Sequence, residues 1–515
     1  MKQWLCALAA LWIGAAAAAP GWMADGRPGP LEREALAWLN DAASHGLDPR
    51  DYDAPALTVE LAAAAAAAAG ATASGTGAAP PRPEAAAALG QRLDAAFRRY
   101  LADLNRGRVE PRTVHLNFRA PRAPALDIEA LLRGALAAGR LADAVQAATP
   151  ALPAYARLRE ALSHYRTLAG HAAWAQPLPA LPRPGKLTPD GLWDGIPRLT
   201  ARLQALGDLP AQAAAPFMYD PALVDGVRAF QRRHGLTDDG VIGRTTLAAL
   251  QVSPAARVRQ IELTMERLRW TPLMQGPRMI VINVPEFVLR AYEVVDGRIV
   301  VRTQMKVVVG KSADTRTPLF DEDLRFIEFS PYWNVPPSIA RGELVPRLRR
   351  DPGHWAREGF EFVGAGGVDT VLSAAKLEAV LAGVARIRQR PGPRNALGDI
   401  KFVFPNRDNI YLHHTPSVSL FERDRRDFSH GCIRVEEPLA LAKFVLQDQP
   451  GWPEARIREA MAAGTSSTLR VDAPVPVLIA YGTTLVRNGL TFFYDDIYGH
   501  DRRLDAALRA QRPKP

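Results

Sequence analysis

The stretch FSHGCIRVEEP, residues 428–438, holds Cys432, one of two cysteines in the chain; the other is Cys6. Three of the ten histidines, His413, His414 and His430, come shortly before it. The thiolate is the reactive form of cysteine, and an ordinary thiol is only a few per cent ionised at neutral pH. A neighbouring imidazole raises that fraction and later protonates a leaving amine. His413 ends the run NIYLH, 19 positions before Cys432 (432 − 413), and the polar loop between them is long enough to bring the two side by side. The ring needs a fixed orientation, from a side chain or a backbone carbonyl. Backbone N–H groups around His430, Gly431 and Cys432 are candidates to hold an oxyanion, and Gly431 lets substrate approach the backbone closely. Pro438 suits the first turn of a helix whose N-terminus favours a nearby thiolate. Acyl transfer through a cysteine is the chemistry this pattern fits. A plain alternative is an inert buried thiol packing as a small hydrophobe. Zinc held by the histidines and Cys432 is another, but the spacing is not a usual structural-zinc one. A papain-type site needs Cys-Gly-Ser-Cys-Trp early and its histidine far downstream; that motif is absent, and His500 is the only later histidine. No metal and no cofactor are expected.

The start of the chain sets the compartment in which this thiol must work. MKQWLCALAALWIGAAAAAPGW has Lys2 as its charged head, then an apolar run, then small residues. That order predicts a cleaved secretory signal over residues 1–24, cut between Ala17 and Ala24, and therefore a periplasmic protein. The apolar run is shorter than the roughly 20 residues a spanning helix needs. Cys6 is lost with the signal, leaving Cys432 unpaired in a compartment that oxidises thiols. The net charge of +10 favours an acidic surface, glycan or lipid partner. Zinc-finger spacing and aromatic-interleaved basic stripes are missing, so nucleic acid is not expected.

At 515 residues the chain has room for about three domains. Residues 25–185 read as a helical domain. LEREALAWLNDAASHGLDPR carries apolar residues at helix spacing with a stop at Gly46, and similar patterns follow Leu89, Leu126 and Tyr155. Residues 54–88 are Ala/Gly/Pro-rich and read as a loop or a frayed alanine helix. The Pro-rich stretch 175–191 is a linker candidate. Residues 193–252 read as a three-helix module, and 253–277 as a helical connector. The period then changes. Residues 278–505 read as a mainly antiparallel β domain, with hairpin signals at Asp296-Gly297 and Asn488-Gly489. A helical insertion over 339–394 interrupts it and is either a lid and substrate wall or a stabilising decoration.

Two stretches resemble known families. AFQRRHGLTDDGVIGRTTLAAL is similar to the peptidoglycan-binding domain attached to many wall enzymes. HHTPSVSLFERDRRDFSHGCIRV resembles the motif of L,D-transpeptidases of the YkuD type: His, a gap, then Ser-His-Gly-Cys-x-Arg. PYWNVPPSIARGELVPRLRRDP, PGPRNALGDIKFVFPN and DDIYGHD fit the long Gram-negative subgroup of that family. The resemblance covers most of residues 185–505 and implies a multidomain α+β protein with a helical scaffold, a peptidoglycan-binding domain and a YkuD-like catalytic domain with a capping insertion. It implies that Cys432 is the nucleophile and His413 its base and later acid, with His414 orienting the ring through its backbone. Ser429, His430 and Gly431 would shape the pocket. Arg434 would contact substrate or pair with Glu436 or Glu437. Tyr332, Trp333, Asn334 and Tyr411 would line the cleft, or serve as core. The implied reaction is 3→3 cross-linking of stem peptides. The alternatives are L,D-carboxypeptidase trimming and a non-catalytic wall-binding scaffold. Implied partners are stem peptides, glycan strands, carbapenem-type inhibitors and wall-synthesis proteins.

Overall fold

The computed structural model describes residues 22–23, 27–73, 83–115, 118, 126–212, 215–271 and 276–511. The expected signal, residues 1–24, lies outside them apart from Trp22 and Met23. Among the described residues no helix is long and apolar enough to cross a membrane. The chain forms two compact units, residues 1–107 with 123–151 and 512–515, and residues 108–122 with 152–511.

The first unit is helical. Helices Pro30–Asn40, Ala54–Ala73, Pro83–Arg106, Ile128–Ala138 and Leu141–Ala148 bury Leu39, Leu57, Leu93, Phe97, Tyr100 and Leu132 against one another. Of the low-complexity stretch 54–88, residues 54–73 and 83–88 are helix, and 74–82 lie outside the described residues. Alanine is the strongest helix former, and Leu57 and Leu61 fix one end of its helix in the core. The helical domain expected to reach residue 185 does not form one body. Helix Pro153–Leu168 belongs to the second unit, where Tyr155 and Leu162 pack with Ile261 and Met265 of helix Pro254–Trp270.

In the second unit, helices Ile196–Ala205, Pro221–Arg233 and Arg244–Gln251 make the small module. Gln231 is buried at its centre. Its side chain donates to Asp239 Oδ1 (3.1 Å), Val241 O (3.0 Å) and Thr246 Oγ1 (3.2 Å) and accepts from Gly240 N–H (2.9 Å). The Gln, Asp-Gly and Thr of the sequence pattern thus staple one turn, which is a structural role. The Pro-rich stretch is not a free linker: Leu187 bridges Ile242, and Leu178 exchanges two hydrogen bonds with the Gln251 side chain.

The remaining strands are β1 Arg278–Asn283, β2 Val288–Val295, β3 Arg298–Gly310, β4 Asp321–Phe329, β5 Trp333–Asn334, β6 Phe360–Gly364, β7 Gly367–Asp369, β8 Arg386–Gln389, β9 Ile400–Val403, β10 Leu412–His413, β11 Asp427–Ser429, β12 Ile433–Val435, β13 Ser467–Ala480, β14 Thr484–Arg487 and β15 Leu490–Phe493. Nine form one sheet in the order β11-β3-β12-β10-β9-β4-β13-β1-β2. The long β3 also pairs with β2, so eight strands close into a hydrogen-bonded ring around Ile282, Val307, Ile327, Phe402, Leu412 and Ile433. Six of the nine pairings are antiparallel; β1–β13, β10–β12 and β11–β3 are parallel. Both hairpin signals form the turns expected of them.

The insertion departs from the helical expectation. It contains a four-stranded sheet, β5-β8-β6-β7, that starts at Trp333, together with short helices. It has its own core of Leu344, Leu348, Trp355, Phe362, Leu377 and Ile387. Strands of two to five residues carry too little periodicity to be read from sequence.

Two predictions follow from this packing. Gln231→Leu leaves the Gly240 N–H without its acceptor and removes the three bonds the amide donates, and should destabilise the module by about 3 kcal/mol, read by denaturant titration. His115 and His500 meet edge to face, 4.5 Å between ring centres, in a buried cluster with Trp270 and Tyr481. Burial pushes them from 6.5 to about 2 and about 3; His500 and then Arg267 lower His115 further, and Arg267 lowers His500 further. Their stabilisation is complete above pH 6.5 and is lost as pH falls towards 3, at up to about 1.4 kcal/mol per pH unit for each. The urea midpoint should fall over that window and fall less in His500→Phe.

Candidate active site

Leu412 and Ile433 point into the ring's core, and strand alternation sends their neighbours to the other face. β10 and β12 are parallel with Leu412 opposite Ile433 and His413 opposite Arg434. Tyr411, His413, Cys432 and Arg434 therefore share one face. Lys401 of β9 lies opposite His413, and Glu328 of β4 opposite Lys401, so both join the same row. Lys401 pairs with Glu328 at 3.1 Å and sits 4.5 Å over the Tyr411 ring.

The His413 Nδ1 lies 2.5 Å from the His414 carbonyl. That contact puts the proton on Nδ1 and leaves Nε2 as the lone-pair nitrogen. The His414 ring is itself held by Asp399, at 2.7 Å. It packs against Gly398, where φ is +64° and a Cβ would lie 2.7 Å from His414. Any larger residue at 398 would displace the carbonyl that orients His413.

Cys432 opens β12 from a tight turn. The Ser429 hydroxyl accepts the Gly431 N–H (3.1 Å) and donates to the Cys432 carbonyl (2.5 Å). Gly431 sits at φ +114°, against Ile410. The expected oxyanion donors need correction here, because the Gly431 N–H is spent on Ser429. Among the described residues the N–H groups of His430 and Cys432 have no acceptor, and they remain the candidates. The turn is held from outside the motif. Thr315 donates to the Ser429 carbonyl (2.9 Å), and Thr317 donates to the Gly431 carbonyl (2.8 Å). Tyr498 donates to the Gly310 carbonyl (2.5 Å) and accepts the Thr317 N–H (3.2 Å). None of these three residues was legible as a site residue, since each acts only through tertiary contacts.

The electrostatics favour a neutral pair at rest. Burial pushes the Cys432 thiol up, although hydrogen bonds from Tyr411 and the charges of Lys401 and Arg434 oppose it. Its S–H faces the Asn409 carbonyl at 3.6 Å. Burial, then Arg434, push His413 down to about 3. Burial also lowers Arg434. Arg434 makes no ion pair among the described residues, and its Nε is buried without a partner. Glu436 pairs instead with Lys306 at 3.5 Å, so the ion-pair reading of Arg434 does not hold. Burial and the nearby sulfur raise Tyr411, which keeps its proton. His430 Nε2 contacts Glu343 of the insertion at 2.6 Å.

The expected cleft residues divide. Tyr411 lies in the row, 5.7 Å from the His413 ring. Tyr332 stacks under Arg388 at 4.1 Å, Trp333 packs on the insertion's core, and Asn334 is exposed on β5. Among the described residues none of these three makes a hydrogen bond or ring contact with Cys432 or His413. Among the described residues no group of side chains could hold a metal ion.

Residues 277–477 match the model of the L,D-transpeptidase catalytic domain (YkuD). The chain carries a YkuD-type L,D-transpeptidase domain. Residues 194–250 match the "Putative peptidoglycan binding domain", and residues 15–162 match a scaffold domain. A Haemophilus influenzae protein named "Putative L,D-transpeptidase" is 30% identical over 250 residues, 48% of this chain and 49% of that protein. The chain thus matches about half the length of this curated relative. Among solved structures, an L,D-transpeptidase (residues 123–326) from Xylanimonas cellulosilytica is 19% identical with a TM-score of 0.19, covering 59% of this chain and all of that one. One from Stackebrandtia nassauensis is 14% identical with a TM-score of 0.24, covering 61% and all of that chain. The turn that carries Cys432 is braced, through Thr317, by Tyr498, which lies beyond the residues the family model matches.

The neutral pair gives a direct expectation. The rate of Cys432 alkylation by iodoacetamide should rise steadily with pH from 6 to 9, without the plateau at pH 5–8 that a preformed thiolate–imidazolium pair produces.

Proposed function

We propose that the protein is an exported peptidoglycan L,D-transpeptidase that forms 3→3 cross-links through a thioester on Cys432. The observation that carries this reading is the common face of His413, Cys432 and Arg434 beside a turn with two free N–H groups. In the first step the Cys432 proton passes to His413 Nε2 as sulfur attacks the carbonyl between diaminopimelate and D-Ala of a tetrapeptide stem. The oxyanion is held by the N–H groups of His430 and Cys432. The intermediate collapses, and His413 gives its proton to the leaving D-Ala amine. In the second step the side-chain amine of another stem's diaminopimelate attacks the thioester. A C–N bond forms, the C–S bond breaks, and the sulfur regains a proton. Arg434, cationic and unpaired, suits a carboxylate of the donor stem. The insertion limits water, so that the amine competes with hydrolysis. The small module would hold glycan near the site, and the periplasm is where such a substrate lies.

Mass spectrometry with a carbapenem and with disaccharide-tetrapeptide tests this. A carbapenem adduct that disappears in Cys432→Ala, together with a 3→3 dimer, is expected. Adduct with tripeptide alone would mean a carboxypeptidase, and a folded protein without adduct would mean a wall-binding scaffold. Arg434→Ala should lower kcat/KM for the donor by about 10- to 100-fold, the weight of one charged hydrogen bond.

A further inference from the structure

Glu343 lies in a π-helical turn of the insertion, Ala340–Leu344. Such turns are rare and are often found where function requires a side chain to be placed. In an unbroken α-helix Glu343 and Arg347 would stand four residues apart and pair. Here Arg347 makes no ion pair among the described residues, and Glu343 Oε1 lies 2.6 Å from His430 Nε2. His430 is two residues from Cys432, at most about 7 Å along the chain.

Other carboxylates around the turn are committed. Glu328 pairs with Lys401, Glu436 with Lys306, Asp427 with Arg425 and Asp399 with His414. Among the described residues Glu343 makes no ion pair other than the one with His430, and its side chain is 56% exposed. The two substrates differ in what they need. The donor stem presents carboxylates, which suit Arg434. The acceptor presents an alkyl amine, protonated at neutral pH, which needs an anion and then a base.

We propose that Glu343 and His430 form the acceptor subsite: the Glu343 carboxylate receives the acceptor's ammonium group, and His430 takes its proton. This rests on the thioester reading above. With Nε2–H donated to Glu343, His430 keeps Nδ1 as the basic nitrogen. The ammonium loses one proton to Nδ1, and the freed amine attacks the thioester carbonyl. The C–N bond forms, the C–S bond breaks, and a second nitrogen proton passes through His413 to the sulfur. His430 then releases its proton to solvent. The sum is thioester plus ammonium to amide, thiol and one proton. The insertion thereby supplies part of the binding site for the second substrate.

The test compares the full chain with Glu343→Gln and Glu343→Asp, using disaccharide-tetrapeptide as donor and as a titrated acceptor. D-Ala released in the first turnover reads the donor half-reaction, and dimer against tripeptide at steady state reads the second. Glu343→Gln should release D-Ala at the wild-type rate while the acceptor KM rises about 10-fold or more and the dimer-to-tripeptide ratio falls with it. Glu343→Asp should recover part of both. An unchanged acceptor KM in Glu343→Gln overturns the proposal; with a fallen ratio, that result makes Glu343 a latch on the insertion. Loss of D-Ala release in Glu343→Gln also overturns it. A wild-type protein that releases no D-Ala overturns the thioester reading and takes this one with it.

Discussion

The parallel register of β10 against β12 is the constraint on which the site depends. Leu412 lies opposite Ile433, and both are fully buried in the ring's core. That single pairing puts Tyr411, His413, Cys432 and Arg434 on the opposite face. A slip of β10 by one residue would send Tyr411 and His413 towards the core and bring Leu412 out, because side chains alternate with a period of two. A two-residue strand cannot hold its own register. β9 and β12 on either side hold it, and β3 and β4 flank those in turn. The closed ring is what lets so short a strand carry a histidine in a fixed place.

The balance of charge on that face bears on how the free Cys432 thiol is kept in check. Tyr411, Lys401 and Arg434 all favour the thiolate, yet burial outweighs them and the thiol stays protonated. Oxidation and disulfide exchange require the thiolate, so the resting thiol is protected. Burial also keeps His413 neutral, against the pull of the His414 carbonyl on Nδ1. The same burial leaves Arg434 without a counter-ion, a cost that a bound carboxylate would offset.

His413 and Cys432 could be singled out in the sequence for a physical reason. His413 ends an alternating apolar run, and Cys432 sits in a Ser-His-Gly-Cys turn whose residue types are each demanded locally: Ser429 closes it and Gly431 takes a positive φ. The ring strands were also readable, since long alternating runs such as Arg298–Gly310 leave a clear period. The insertion's sheet was not, because its strands are too short to show one. Thr317, Tyr498, Lys401 and Glu343 were hidden for a different reason. Nothing in their neighbours announces them, and each gains its place only when distant segments meet, 114 residues apart for Thr317 and Gly431. The helical run through the alanine-rich stretch was open in the sequence and was decided by Leu57 and Leu61.

The most direct test of the account is to trap the acyl-enzyme. The protein is mixed with disaccharide-tetrapeptide, quenched in acid within one turnover, digested and mapped by mass spectrometry. The account predicts one adduct, the donor less its terminal D-Ala, on the peptide that contains Cys432, with no such adduct when His413 is replaced by alanine. Release of D-Ala at the same rate with no adduct on Cys432, or with the adduct on another residue, would contradict it.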